Sequence, residues 1–219
     1  MHDAILVGIG TAINDDPQLN GISTNNLTFQ EYLNNSFLQV RHLPHPPPKP
    51  YHLPRPIIID SHLRLLPTCK LLRNYKNGTG RRPWIICSSF SPVDPQRKSA
   101  LEAAGARVVE VPQSSAIPNE DPSHIPIASI LQVLRDSGIT SLMVEGGASI
   151  IGSFLREGTV DALIITIAPV FVGEAGVGYQ YPILQSENGG LVAGYQEVHT
   201  ELVGRDTVVC LIPVKENQL

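Results

Sequence analysis

Two stretches of the 219-residue chain place glycine beside hydroxyl and carboxylate groups at the end of an apolar run. In residues 3–17, DAILVGIGTAINDDP, the run stops at Gly8-Ile9-Gly10-Thr11, and Asp15-Asp16 then precede Pro17. Glycines at a strand exit let a ligand approach the backbone closely. Thr11 adds a hydroxyl and an N–H for a phosphate or an amide. A tight turn with Thr11 as a helix N-cap explains the same residues without a ligand. The second stretch is Val144-Glu145-Gly146-Gly147-Ala148-Ser149, a strand running directly into two glycines and a helix. A helix start carries free N–H groups and partial positive charge. With no side chains at Gly146 and Gly147, a pyrophosphate fits against those amides. Glu145 ends its strand at the carboxyl edge, where open α/β sheets bind ligands. The competing reading is close packing of strand on helix that glycine permits, with Glu145 solvated.

Other chemistries find less support. A GxxxxGK[ST] loop and a complete GxGxxG are both absent, and so are HExxH, HxH and GxSxG. The glycines of VGEAGVG (Gly173, Gly176 and Gly178) follow a strand without a helix pattern, which favours a loop over a phosphate cradle. His42, His45 and His52 lie in a proline-rich segment and read as solvated, so no metal site is expected. The three cysteines, Cys69, Cys87 and Cys210, are scattered and odd in number, which argues against a disulfide framework or structural zinc and for neutral free thiols.

The elements that must position the glycine motifs follow from alternation and periodicity. Residues 3–9, 56–60 (PIIID), 84–88 (WIICS), 107–111 (RVVEV), 141–145 (SLMVE) and 160–168 (VDALIITIA) read as strands. Residues 95–105 (PQRKSALEAAG) and 148–156 read as helices, as does 126–138. In that last segment Ile127, Ile130, Leu131 and Leu134 have the i, i+3, i+4, i+7 spacing of an amphipathic face, and Gly138 is a C-cap. Strands alternating with helices imply parallel pairing. Residues 195–203 and 206–213, separated by Gly204-Arg205, read instead as an antiparallel hairpin. The expected fold class is α/β, a mixed sheet with a parallel centre, an antiparallel C-terminal hairpin and helices on both faces.

One stretch breaks the pattern. Residues 21–40 are rich in Asn, Ser and Thr, and residues 44–56 hold seven prolines in PHPPPKPYHLPRP. Proline at that density excludes helix and inner strand. The expectation is a single domain, 1–219, with a disordered or inserted segment at 21–55, or a gene-model error there. Hydrophobic residues make up 42% and charged residues 16%, with a net charge of −4, an ordinary globular composition that offers no global attraction for nucleic acid or anionic membrane. No apolar stretch is long enough to span a bilayer, and the N-terminus lacks the form of a signal peptide. A reducing, cytoplasmic setting is expected.

Taken together, DAILVGIGTAINDDPQLN, PRPIIIDSHLRLL and VEGGASIIGSFLREGTVDALIITIAPVFVGEAGVGY resemble the reductase family of riboflavin biosynthesis. This family comprises the fungal and archaeal 2,5-diamino-6-ribosylamino-4(3H)-pyrimidinone 5′-phosphate reductases and the C-terminal domain of the bacterial deaminase–reductase. The resemblance runs in order over most of the chain outside 21–55. It implies a dihydrofolate-reductase-like fold, a homodimer, and NADPH-dependent reduction of the ribosylamino-pyrimidinone 5′-phosphate to its ribitylamino counterpart. It further implies dinucleotide contacts at Thr11, Asp15, Ser61, Gly146, Gly147, Ala148, Ser149 and Ile150. Leu19, Arg41 and Glu145 match substrate-side positions, with Glu145 the candidate catalytic carboxylate. Arg81, Arg82 and Lys98 could meet a 2′-phosphate, or equally be solvated surface charges.

Two departures accompany the resemblance. The family carries a strand with a Ser-Leu-Asp-Gly-like motif before DAILVG, which this chain starts too late to hold; its loss would expose strand edges. The family also passes almost directly from DDPxLN to a phosphate-binding arginine, whereas here 21–40 intervene before Arg41. Three functional readings stay open: the riboflavin-pathway reductase, another dihydrofolate-reductase-like NADPH oxidoreductase, and an inactive dinucleotide-binding remnant.

Overall fold

The computed structural model describes residues 2–19, 53–89, 93–112, 125–171, 173, 192 and 194–214. The expected inserted segment, 21–55, therefore lies outside the described residues up to position 52, and so does Arg41. The chain divides into two compact units, Met1–Ile150 and Ile151–Leu219.

The first unit is built on a five-stranded parallel sheet: β1 (Ala4–Gly8), β2 (Arg55–Ile59), β3 (Trp84–Ser88), β4 (Arg107–Val111) and β5 (Leu142–Val144). Their order is β4-β3-β2-β1-β5. β2 and β3 are apolar because the sheet buries them on both faces; Ile57, Ile58, Ile85 and Ile86 are all fully buried. Pro56 is tolerated in an inner strand because the ladder to β3 begins only at Ile57–Trp84. The ring of Trp84 lies between the guanidinium groups of Arg55 and Arg107, 4.6 and 4.4 Å from its centroid. β5 is the edge strand, three residues long, and its Met143 is exposed.

The helices α1 (Ile9–Asp15), α2 (Lys70–Lys76), α3 (Pro95–Ala103) and α4 (Ile127–Asp136) connect these strands, and α5 (Ala148–Arg156) follows β5. α3 starts as the sequence predicts, with the Asp94 carboxylate accepting from Gln96 N–H at 2.9 Å and Pro95 in the first turn. α4 buries Ile127, Ile130 and Leu134, leaving Leu131 half-buried, and Gly138 takes the left-handed φ of 84° expected beyond a helix end. The sequence reading did not anticipate α2, and for α1 it offered Thr11 as an N-cap, whereas the helix starts at Ile9 with Gly8 as its N-cap. Both have only seven residues, and each buries just two side chains, Ile9 and Ala12 in α1 and Leu71 and Leu72 in α2. A face that narrow leaves almost no periodic signal.

These two helices are joined by a long-range cap. Asp16, left-handed at φ 40°, ends α1, and its carboxylate accepts from Lys70 N–H at 2.8 Å, the first residue of α2. Arg73 pairs with the same carboxylate at 3.7 Å. The N-cap residue of α2, Cys69, supplies no side-chain bond, so Asp16 satisfies one of its orphan donors from a distance. Burial pushes the Cys87 thiol up to about 11 and raises that of Cys69, which keeps both neutral at ordinary pH.

The second unit holds a three-stranded antiparallel sheet of β6 (Leu163–Ile167), β7 (Tyr195–Val203) and β8 (Asp206–Pro213), in the order β6-β8-β7. β7 and β8 form the predicted hairpin, with Val203 opposite Asp206 and a bulge between Glu197 and His199. Val192, Val209 and Leu211 are its buried core. The parallel centre and antiparallel C-terminal hairpin expected of the fold are thus both present, divided between two sheets, with β5 and β6 each at a sheet edge.

Replacing Asp16 with alanine should lower the unfolding free energy by about 1 kcal/mol through loss of the cap. Asp15→Ala, at the exposed neighbouring position, should stay within about 0.5 kcal/mol of the parent. Urea denaturation of the two variants checks this, and equal effects would contradict the assignment of the cap to Asp16. A second test concerns Asp3, whose carboxylate accepts from Thr140 Oγ1, Thr140 N–H and Ser141 N–H. These bonds hold its pKa below the ordinary 3.8, the Thr140 hydroxyl contributing most. A depressed carboxylate pKa stabilises the fold above the unfolded-state value, and that contribution is lost as pH falls through the folded value. The stability gap between parent and Asp3→Asn should therefore be constant near neutral pH and close below 3.8. A gap that widened in acid would be the opposite sign.

Candidate functional site

β1 is where the winding of the parallel sheet reverses. β2, β3 and β4 extend from it to one side, and β5 lies on the other. Such a switch point leaves a crevice at the carboxyl ends of the two central strands. β1 and β5 run parallel, Ala4 opposite Leu142 and Leu6 opposite Val144, so β5 ends beside the last residues of β1. Gly8-Ile9-Gly10-Thr11 leaves β1 there, and Glu145-Gly146-Gly147 leaves β5 beside it. The two glycine motifs of the sequence are one site.

Contacts between them are specific. Gly147 N–H donates to Thr11 Oγ1 at 3.1 Å, and Glu145 N–H donates to the Leu6 carbonyl at 2.9 Å, extending the ladder past the strand end. Gly146 adopts φ 110°, and a Cβ placed there would stand 2.9 Å from Thr11 Oγ1. A Cβ on Gly8 would stand 2.7 Å from Ile150 Cγ1. Glycine is required at both positions, by backbone conformation at the first and by crowding at each. The result is a floor of backbone between a strand end and the start of α5.

A cleft of about 430 Å³ opens over this floor, lined by Gly8, Ile9, Gly10, Ile59, Ser61, His62, Arg64, Ser149 and Ile150. That size is typical of a small-molecule site. Of the residues expected at a dinucleotide, Ser61, Ser149 and Ile150 line the cleft, Thr11 bonds to Gly147 beside it, and Ala148 opens α5 next to Gly147. Asp15 is the exposed last residue of α1 and is not part of the cleft lining. Glu145 is exposed at the end of β5 and is not part of the cleft lining. Leu19 is buried in the hydrophobic core with a left-handed φ of 46°.

The charged residues weighed for a further phosphate are placed elsewhere. Arg81 donates to the Leu53 carbonyl at 3.2 Å, and Arg82 donates to the carbonyls of Gly105 and Ala106. Both precede β3, at the amino end of the sheet, opposite the glycine motifs. Lys98 is paired with Glu110 at 2.7 Å, beside the far edge strand β4.

Three residues of the site escaped the sequence reading: Asp60, His62 and Arg64. The signal lay in the segment IIIDSHLRL, where a strand ends in an acidic residue with a base four positions later. Asp60 is fully buried. Its Oδ2 accepts from Leu65 N–H at 2.8 Å and its carbonyl from Leu63 N–H at 3.2 Å, so the turn after β2 wraps around its carboxylate. Its Oδ1 has no hydrogen-bond partner among the described residues, and Arg64 Nε stands 3.8 Å away.

Gly146→Ala should lose about 1–3 kcal/mol of stability from the strained backbone and the contact with Thr11. Gly147→Ala should be close to neutral, since a Cβ there would lie 3.6 Å from Thr11 Oγ1, an ordinary contact. Denaturant titration of the two variants tests the difference, and a larger loss at Gly147 would contradict this geometry.

Comparison with known proteins bears on what this site belongs to. Residues 1–209 match the RibD C-terminal domain family. The 2,5-diamino-6-ribosylamino-4(3H)-pyrimidinone 5′-phosphate reductase of Debaryomyces hansenii is 33% identical over 178 residues, 80% of this chain and 62% of the relative. The riboflavin biosynthesis protein RibD of Bacillus amyloliquefaciens is 31% identical over 78% of this chain and 36% of its own length. Among solved structures, Acinetobacter baumannii RibD superposes with a TM-score of 0.65 at 22% identity, covering 97% of this chain and 47% of that one. A pyrimidine reductase-like protein from Corynebacterium diphtheriae gives 0.62 at 17% identity, over 98% of this chain and 77% of that one. This chain spans 62% of the fungal relative and about a third of the bacterial one. A family match over nearly the whole sequence, with the same fold in the solved relatives, means that this chain belongs to the RibD C-terminal domain family.

Proposed function

We propose that the chain is the NADPH-dependent reductase of riboflavin biosynthesis, acting on the ribosylamino-pyrimidinone 5′-phosphate as a single reductase domain. The observation that carries this reading is the convergence of Gly8–Thr11 and Gly146–Ile150 at the switch point of the parallel sheet. The names of the fungal and archaeal relatives supply the substrate class.

The residues present fit a dinucleotide. The site has backbone where a Cβ would intrude, a helix start with its N–H groups, and hydroxyls at Thr11, Ser61 and Ser149. Thr11, Gly146, Gly147, Ala148, Ser149 and Ile150 would hold the pyrophosphate region together with Ser61, and Asp15, outside the cleft lining, is assigned to the dinucleotide by the family resemblance alone. When bound, the nicotinamide supplies hydride. The ring-opened sugar presents a C1′=N bond; hydride at C1′ and a proton at nitrogen convert it to the ribitylamine. The work of the protein is to align donor with acceptor and exclude water. Glu145, at the carboxyl end of β5, is assigned to the substrate and to electrostatic support of the nitrogen as it gains its proton. Leu19 and Arg41 are assigned to the substrate side, Arg41 for the 5′-phosphate, which suits a guanidinium.

The same reading places the protein in the cytoplasm as a homodimer. No helix among the described residues is long and apolar enough to cross a membrane. Ile167 and Leu202, 48% and 74% exposed, both register with Thr207 in one cross-strand row, an apolar feature suited to burial by a second copy.

Incubation of the purified chain with NADPH and the ribosylamino-pyrimidinone phosphate should consume NADPH and yield a product heavier by two hydrogens, in equal amounts. Glu145→Gln should lower turnover on the order of a hundredfold while NADPH affinity stays unchanged. Binding of NADPH without turnover in the parent chain would instead mark it as a dinucleotide-binding remnant.

A further inference from the structure

The amino end of the parallel sheet, opposite the cleft, gathers four arginines: Arg55, Arg81, Arg82 and Arg107. Arg55 opens β2, Trp84 opens β3 and Arg107 opens β4. Trp84 is opposite Ile57 on one side and Arg107 on the other, and Arg55 is two residues before Ile57. Side chains two apart share a face, so Arg55, Trp84 and Arg107 rise from the same side of the sheet. Both guanidinium groups rest on the indole, and the tryptophan is only 4% exposed. The segment before β3 adds the other two cations. Arg55 Nη1 donates to the Arg82 carbonyl at 3.0 Å, Arg82 donates to the carbonyls of Gly105 and Ala106 just before Arg107, and Arg81 donates to the Leu53 carbonyl just before Arg55.

These contacts fix the guanidinium groups without balancing their charge. None of the four enters an ion pair among the described residues. The Asp3 carboxylate feels Arg81 but is engaged by Thr140 and Ser141. Burial first, then the like charges of Arg81, Arg107 and Arg82, push the Arg55 guanidinium below its ordinary pKa. Donors are also left over. Arg55 Nε is buried with no acceptor, and the Arg107 guanidinium makes no hydrogen bond among the described residues. Like charges held together repel, and a buried donor without an acceptor is costly; an anion with several acceptor oxygens relieves both.

We infer that Arg55, Arg81, Arg82 and Arg107 form a second anion site, at the amino end of the sheet, for a compact anion of two linked phosphoryl groups. Guanidinium groups pair their N–H donors with phosphate oxygens, and linked phosphoryl groups offer more oxygens and charge than a single phosphate. The indole of Trp84 is covered by arginine and presents no open face to a nucleobase, so inorganic pyrophosphate suits the site and a nucleoside adds nothing. The site is independent of the dinucleotide reading of the cleft.

The test is calorimetric titration of the full chain with inorganic pyrophosphate and with ADP at constant ionic strength, in the presence of NADP⁺ to occupy the cleft. The parent should bind pyrophosphate, and ADP no more tightly. Arg107→Gln should weaken pyrophosphate by roughly ten- to hundredfold, and Arg107→Lys should recover part of the loss because it keeps the charge without the paired donors. Arg97→Gln makes the same charge change at the exposed start of α3, beyond the carboxyl end of β3, and should shift affinity by less than about twofold. Arg107 is exposed, so its variants are expected to fold, which their thermal midpoints check. Hydrogen–deuterium exchange with pyrophosphate should show added protection at Arg81–Ile85 and Ala106–Val108. Absence of pyrophosphate binding by the parent, equal weakening by Arg97→Gln and Arg107→Gln, or ADP binding tenfold tighter than pyrophosphate would each overturn the assignment.

Discussion

The parallel pairing of β1 with β5 is the constraint on which the site depends. It joins segments nearly the whole first unit apart and is clamped at its amino end by one carboxylate. Asp3 Oδ2 accepts from Thr140 N–H, Thr140 Oγ1 and Ser141 N–H, while Asp3 N–H donates to the Ser141 carbonyl at 3.0 Å. Strand register is a discrete quantity: a slip of one residue would turn every side chain of β5 to the other face. With β5 only three residues long, its own ladder has little power to prevent such a slip. The clamp at Asp3 and the Glu145–Leu6 bond at the other end bracket it. Fixing the register fixes where both strands end, and with it the meeting of Thr11 and Gly147.

From that meeting the glycine requirement follows. The side chains of Ile150 and Thr11 pack directly on the backbone of Gly8 and Gly146, with no room for a Cβ between them. The same closeness leaves N–H groups at the start of α5 beside an open cleft, an arrangement that favours anions without any net positive charge on the chain. The chain's charge of −4 is therefore no obstacle to a phosphorylated ligand.

Much of this was legible in the sequence. The strand WIICS begins and ends where apolar content predicts, because a doubly buried strand has no other way to be written, and the edge strand RVVEV keeps its bounds with only Val109 and Val111 buried. The glycine motifs were visible as separate signals, and their adjacency followed once the strand order was known. What remained hidden was of two kinds. Short helices such as α1 and α2 bury too few residues to show a period, and the cap that links them comes from Asp16, 54 residues away from Lys70. Asp60 was equally inconspicuous, since its full burial after β2 shows only in the fold. Arg81 and Arg82 drew attention as a basic pair, yet their bonds to backbone carbonyls make them part of the amino-end scaffold.

The claim that the two glycine segments form one dinucleotide cradle is tested most directly by hydrogen–deuterium exchange of the whole chain with and without NADPH. The account predicts added protection in Gly8–Ala12 and in Glu145–Ile151 together, with a smaller effect around Ser61–Leu65 and none at the amino ends of β3 and β4. Protection of only one glycine segment, or protection centred on Arg81–Arg82, would contradict it.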